Sequence, residues 1–170
     1  TKVLNNFYGQ KEILNTQADY EKEYVEFRDA PMPSVIGIDA AIDIFPAKRR
    51  IEANAVVTLI NRTEQPITRF LVNIPRYTKV REIVIPGGKL GPIDTKYNVA
   101  WFEFNQPMAP DEERAGQFKI TRSHQGFKDR GEDNTLVKNG TFINNFELFP
   151  SFGFNDGFRI SDQHERRKRD

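Results

Sequence analysis

The sequence changes period at Pro33, and that change constrains the fold more than any other feature. Beyond it, Ile36, Ile38, Ala40, Ile42 and Ile44 alternate with Gly37, Asp39, Ala41 and Asp43. A period of two places the isoleucines on one face of a strand and the aspartates on the other. The segment FPAKRR then turns the chain, and Ile51, Ala53, Ala55, Val57 and Leu59 repeat the pattern. Asn61 to Pro66 is a cluster of turn formers, so the two series predict a hairpin. Further strands are expected over 67–74, 80–85 and 97–104, separated by Pro75 and the loop PGGKLGP, with a weaker sixth over 117–122. Short strands with frequent turn signals argue for an antiparallel sandwich or barrel and against βαβ units. The expected fold is all-β, an antiparallel β-sandwich with a short amino-terminal helix.

That helix precedes Pro33. Ile13, Tyr20, Tyr24 and Phe27 recur at helical spacing, with Lys22, Glu26 and Asp29 on a solvated opposite face. Thr16 with Asp19 suggests a capping-box variant, and Pro31 and Pro33 would stop the helix. Three parts are expected: a helical lead over 1–33, the sandwich over 34–160, and a charged tail over 161–170 that leads to an absent downstream domain. The 170 residues suit one domain. No run approaches the roughly 18 apolar residues of a membrane helix. Twenty-five basic residues against 24 acidic ones leave +1, which gives nucleic acid no global attraction. The absence of cysteine excludes disulfides, thiolate zinc sites and cysteine nucleophiles.

The search for chemistry returns little. Phosphate-cradling loops and hydrolase elbows have no matching motif. His124 and His164 are the only histidines. His164 opens HERRK, close to the HExxH zinc helix, but Lys168 stands where the second imidazole belongs. The pair Asp39 and Asp43 reads as the outward face of a strand, and Asp111, Glu112 and Glu113 read as a loop. The run Arg166 to Arg169 offers only weak, salt-sensitive contact with phosphate. Two sequons occur, Asn61-Arg-Thr63 and Asn139-Gly-Thr141.

The order DYEKEY, then DAAIDIFPAKRRIEANAVVTLINRTEQPITRFLVNIP, MAPDEERAGQFKITRSHQGF and VKNGTFINNFELFPSFGFND resembles the amino-terminal β-sandwich of aminopeptidase N type zinc metallopeptidases. It is most similar to the form fused to an ABC-type permease region in bacterial membrane proteins. Leu59, Asn61, Arg62 and Thr63 match a strand end L-x-N-[RK]-[ST], followed by Pro66 and Ile67. Asn139, Gly140, Thr141, Phe142, Pro150 and Gly153 match a later NGTF…P…GY element, with Phe154 where tyrosine is frequent. The resemblance spans roughly residues 18 to 169. It implies a non-catalytic platform with no catalytic, metal or cofactor residue of its own. Zinc and hydrolysis would belong to the downstream peptidase domain of the same polypeptide, which is also the implied partner. The implied place is the extracytoplasmic, periplasmic side of the bacterial inner membrane, with membrane contact only through other segments. The glutamine-containing segment by which many soluble members reach the substrate's amino end is missing here.

Val137 to Phe158 holds six phenylalanines in 22 residues. Most are expected to fill the end of the sandwich core. Phe149, Pro150, Phe152 and Phe154 are the candidates for an interdomain surface, since interface cores favour aromatics. A different class of function, a free-standing carbohydrate- or peptide-binding module, would instead use Trp101, Tyr97 or Phe102. Tyr97, Val99 and Trp101 share one strand face, which is either covered by a neighbour or left as a platform of rings.

Overall fold

The computed structural model describes residues 10–123, 136–137, 140–141, 148–158, 160, 162 and 167–168. The helix α1 (Gln10–Tyr24) runs into a short 3-10 turn, Val25–Phe27. It begins earlier than its sequence signals suggest. Thr16 is not its cap but lies inside it, with its hydroxyl donating to the Glu12 carbonyl at 2.9 Å. A threonine that returns its hydroxyl one turn back fits mid-helix without capping anything.

The strands are β1 (Ser34–Phe45), β2 (Arg50–Ile60), β3 (Ile67–Asn73), β4 (Thr78–Val84), β5 (Gly88–Leu90), β6 (Val99–Met108), β7 (Glu113–Ser123), β8 (Leu136–Val137), β9 (Gly140–Thr141) and β10 (Ser151–Phe152). They form two four-stranded antiparallel sheets, ordered β1-β2-β7-β4 and β10-β3-β6-β5, and a small β8-β9 ribbon. The fold is the expected all-β sandwich, and β1 and β2 make the expected hairpin from Ser34↔Ile60 to Phe45↔Arg50.

Two elements depart from the sequence reading. β5 lies inside the segment expected to be loop, pairing Gly88 with Phe104 and Leu90 with Phe102. Gly88 makes this possible, because a Cβ there would come within 2.6 Å of the Glu103 carbonyl oxygen. β7 starts four residues before the expected 117, because Glu113, Arg114 and Ala115 pair with Ile60, Leu59 and Thr58.

The two sheets enclose one apolar core. Ile51 and Leu59 on β2, Val72 on β3 and Phe102 on β6 are wholly excluded from solvent. Phe70 stacks on its cross-strand partner Phe102 with centroids 5.4 Å apart, joining β3 to β6 on the core face of the second sheet. A third layer covers the other face of the second sheet. There Tyr20 and Tyr24 of α1 pack on Leu71, Tyr97 and Val99, with Phe27, Trp101, Phe154 and Phe158 around them.

Candidate interdomain surface

The four residues singled out from sequence lie together at the β10 edge of the second sheet, but their side chains enter two different clusters. Phe149 is buried in the sandwich core, and Pro150 is buried beside it. Phe152 is half-buried, edge-on to Phe70 at 5.0 Å and to Phe118 at 6.2 Å. Phe154 is half-buried on the helix side, stacked on Tyr20 at 5.3 Å. Their backbone is held as firmly as their rings. The Gly153 amide donates to the Leu71 carbonyl at 2.9 Å, and Asn73 Nδ2 donates to the Gly153 carbonyl at 2.7 Å. Gly153 has φ 85°, a left-handed conformation that glycine adopts without strain. Asn155 then donates its amide to the Tyr20 hydroxyl at 3.0 Å. The segment thus stitches α1 to the sheet, and of the four candidates Phe152 and Phe154 keep part of their surface outward. Phe142, Phe146 and Asn139 lie outside the described residues.

The rings that a free-standing binding module would use are engaged by the chain itself. Phe102 is wholly buried, and Tyr97 lies under Tyr20 and Tyr24 at 5.6 and 5.7 Å. Trp101 sits edge-on to Phe27 at 4.8 Å, with the Arg69 guanidinium over its ring at 4.5 Å. The question left open by the Tyr97 and Trp101 face is answered by α1, which covers it. Burial between α1 and the sheet raises the Tyr20 hydroxyl above its ordinary range and pushes Tyr24 up to about 12.

The carboxylates noted in the sequence lie on β1, in the turn before β7 and at its start. Asp39 and Asp43 are exposed on the outer face of β1, Asp43 opposite Glu52. The Glu112 carboxylate accepts from Arg114 Nε and from the Ala109 amide, both at 2.7 Å, and these bonds hold it below the usual carboxylate range. Asn61 is likewise committed. It is wholly buried, with Nδ2 donating to the Gln65 and Met108 carbonyls at 2.8 and 2.9 Å. Its Oδ1 accepts from the Thr63 amide and hydroxyl. The matched motif is therefore a pin that fixes the turn after β2, and as a sequon it offers no free amide in the folded chain. Among the described residues no group of three histidine or acidic side chains could hold a metal, and no helix is long and apolar enough to cross a membrane. His124 and His164 lie outside them.

The surface that sequence reasoning missed is on β1. Val35, Ile38, Ile42 and Ile44 pair with Leu59, Val57, Ala53 and Ile51, so they point to the core side of their sheet. Yet these four remain between 39 and 46% exposed on β1, the edge strand of its sheet. The register slips between Val35 and Gly37, so Ile36 is the bulged residue and Val35 takes its place in the alternation. The isoleucine alternation was the available signal. It gave the face, and nothing local tells whether that face is covered.

No family model and no curated protein matches the sequence. Among solved structures, an M1 zinc metallopeptidase from Deinococcus radiodurans overlaps at a TM-score of 0.45 and 12% identity, over 58% of this chain and 22% of that one. A variant of such a metallopeptidase from the same organism, bound to a Tyr-Ser-Ala substrate, overlaps at 0.45 and 14% identity, over 62% of this chain and 23% of that one. The chain spans less than a quarter of those metallopeptidases. An overlap of this size shows neither membership of their family nor a shared function.

Proposed function

We propose that this chain is a non-catalytic β-sandwich module that supports the peptidase domain of a membrane-bound zinc aminopeptidase-like protein with an ABC-type permease region. It would act on the extracytoplasmic, periplasmic side of a bacterial inner membrane. The observation that carries the supporting role is the open core-side stripe of β1. A 12-residue edge strand with four large apolar side chains half in solvent invites pairing and aggregation, so a module that carries one gains from a neighbour that covers it. The ordered motifs quoted above suggest what that neighbour is, and Asn61 and Gly153 explain why those motifs are needed for the fold. Zinc and the hydrolytic residues belong to the neighbour in this reading, and this chain needs no cofactor. Phe152 and Phe154 add a second patch for the same neighbour. The binding-module reading has less to stand on, since Tyr97 and Phe102 are buried.

The test begins with the encoding DNA on both sides. Apolar helices of roughly 20 residues upstream and HExxH with a later glutamate downstream are expected. Co-expressed with the downstream domain, the chain should co-purify with it. Ile42→Lys with Ile44→Lys should abolish that association, and amino-acyl anilide hydrolysis should require zinc and the downstream domain. A stop codon directly after Asp170, or zinc-dependent turnover by this chain alone, would sink the proposal.

A further inference from the structure

We propose that one end of the β1-β2-β7-β4 sheet is a seat for an anionic phospholipid surface. The fold gathers three separate stretches there. Phe45 pairs with Arg50, Arg50 with Ser123, and Thr78 with Arg122, so the β1-β2 turn, the end of β7 and the β3-β4 turn share one rim. The Ser123 amide donates to the Tyr77 carbonyl at 3.2 Å, and Arg122 Nη1 donates to the Arg76 carbonyl at 3.3 Å, which fastens the third stretch to the second.

Among the described residues this rim carries Lys48, Arg49, Arg50, Arg76 and Lys79, with Arg81 slightly further in. Among the described residues its carboxylates are Asp43 and Glu52, with Glu82 next to Arg81; Glu52 is already paired with Arg50 at 3.2 Å and Glu82 with Lys119. Neighbouring strands lie about 5 Å apart, so the rim is about 15 Å wide. Charges that close reinforce one another within a Debye length of about 8 to 10 Å. The balanced total conceals this, because Glu64, Asp111, Glu112 and Glu113 collect at the opposite end of the same sheet, where Asp111 donates its amide to the Asn61 carbonyl.

Two rings favour lipid over other phosphates. Phe45 has Lys48 and Arg50 over its face at 5.9 and 4.6 Å, and the exposed Tyr77 has Arg76 over its face at 5.0 Å. Paired cations and rings suit a bilayer interface, where the ring lies among headgroups and the cation stays with phosphate. A duplex reader presents a helix or ribbon shaped to a groove, and these turns form neither. The proposal stands apart from the peptidase reading, since it rests only on pairing, charge and ring placement.

Vesicle sedimentation tests it. The unaltered chain should pellet with phosphatidylcholine vesicles containing about one third phosphatidylserine, and not with phosphatidylcholine alone. Raising salt from about 0.05 to about 0.5 M should release it, whereas millimolar inorganic phosphate should not. Lys48→Gln, Arg76→Gln and Lys79→Gln together should weaken binding on the order of a hundredfold at low salt, from about fivefold per cation. Arg28→Gln, Arg62→Gln and Lys89→Gln remove the same charge from exposed positions elsewhere and should cost less than about threefold by the same rule. Equal losses in the two variants would show that net charge alone is responsible and would overturn the proposal. So would failure of the unaltered chain to pellet at low salt, release by inorganic phosphate, or tighter binding to a DNA duplex at equal phosphate concentration.

Discussion

β1 and β2 are partners in one hairpin, present apolar side chains to the same side, and meet opposite surroundings. Ile44 lies directly opposite Ile51, yet it is 46% exposed while Ile51 is wholly buried. β2 sits between β1 and β7 and contributes to the core between the sheets, whereas β1 is the last strand of its sheet. The contrast separates two properties that a hydrophobic alternation is usually taken to report together. Which side a residue points to is a local consequence of the pleat. Whether that side is dry depends on what lies across from it, here on residues from β3 and β6 that come later in the chain.

The largest effect should come from the covered strand. Ile51→Ala removes a side chain with no solvent contact and leaves a cavity between the sheets, so it should cost about 2 to 5 kcal/mol. A urea melt of the chain alone would measure it. A cost under about 1 kcal/mol would mean that β2 is no better covered than β1 and would erase the contrast.

Asn61 fixes the end of β2 through side-chain bonds to the Gln65 and Met108 carbonyls. Asn61→Ala strands the Met108 and Gln65 carbonyls, one of them in a buried site, and should cost about 1 to 3 kcal/mol. The thermal midpoint should fall accordingly, and expression in a glycosylating host should leave Asn61 unmodified. Glycan on Asn61 of the folded chain would contradict its burial.

Much of the sheet was legible because period two is written residue by residue. The hairpin and the outward aspartates both follow from it. What sequence could not give depended on distant partners. β5 hides between glycines and prolines and exists only because β6 accepts Gly88 at close range. The bulge at Ile36 shifts the phase by one and promotes Val35, which no local signal marks. The ring-rich segment was visible, but the direction of each ring was not. Phe149 and Phe154 are five residues apart and serve opposite faces of one sheet.

The helix-covered face supplies a comparison of its own, because α1 does for Tyr97 and Trp101 what nothing among the described residues does for β1. Burial raises the Tyr24 hydroxyl from 10.0 to about 12, so the folded state favours the protonated ring. That contribution is complete below about pH 10 and is lost as pH rises through about 12. Trp101, the single tryptophan, packs against Phe27 just beyond α1 and should report the loss by its emission. The helix should hold past the ordinary tyrosine value and loosen only near the raised one. A transition centred on 10 would show that Tyr24 is hydrated and that α1 does not seal this face.

The smallest effect belongs to the open strand, and it bears most directly on the supporting role. In the chain alone, Ile44→Ala removes a side chain already half in water, so it should cost less than about 1 kcal/mol. Ile42→Lys should be close to neutral for the same reason, since its ammonium can reach solvent along the open face. If the chain sits against a neighbour, both substitutions should become costly when measured in the longer polypeptide, while Ile51→Ala should cost the same in either. A loss at Ile44 as large as that at Ile51 in the chain alone would show that β1 is covered from within, and the supporting role would lose the observation that carries it.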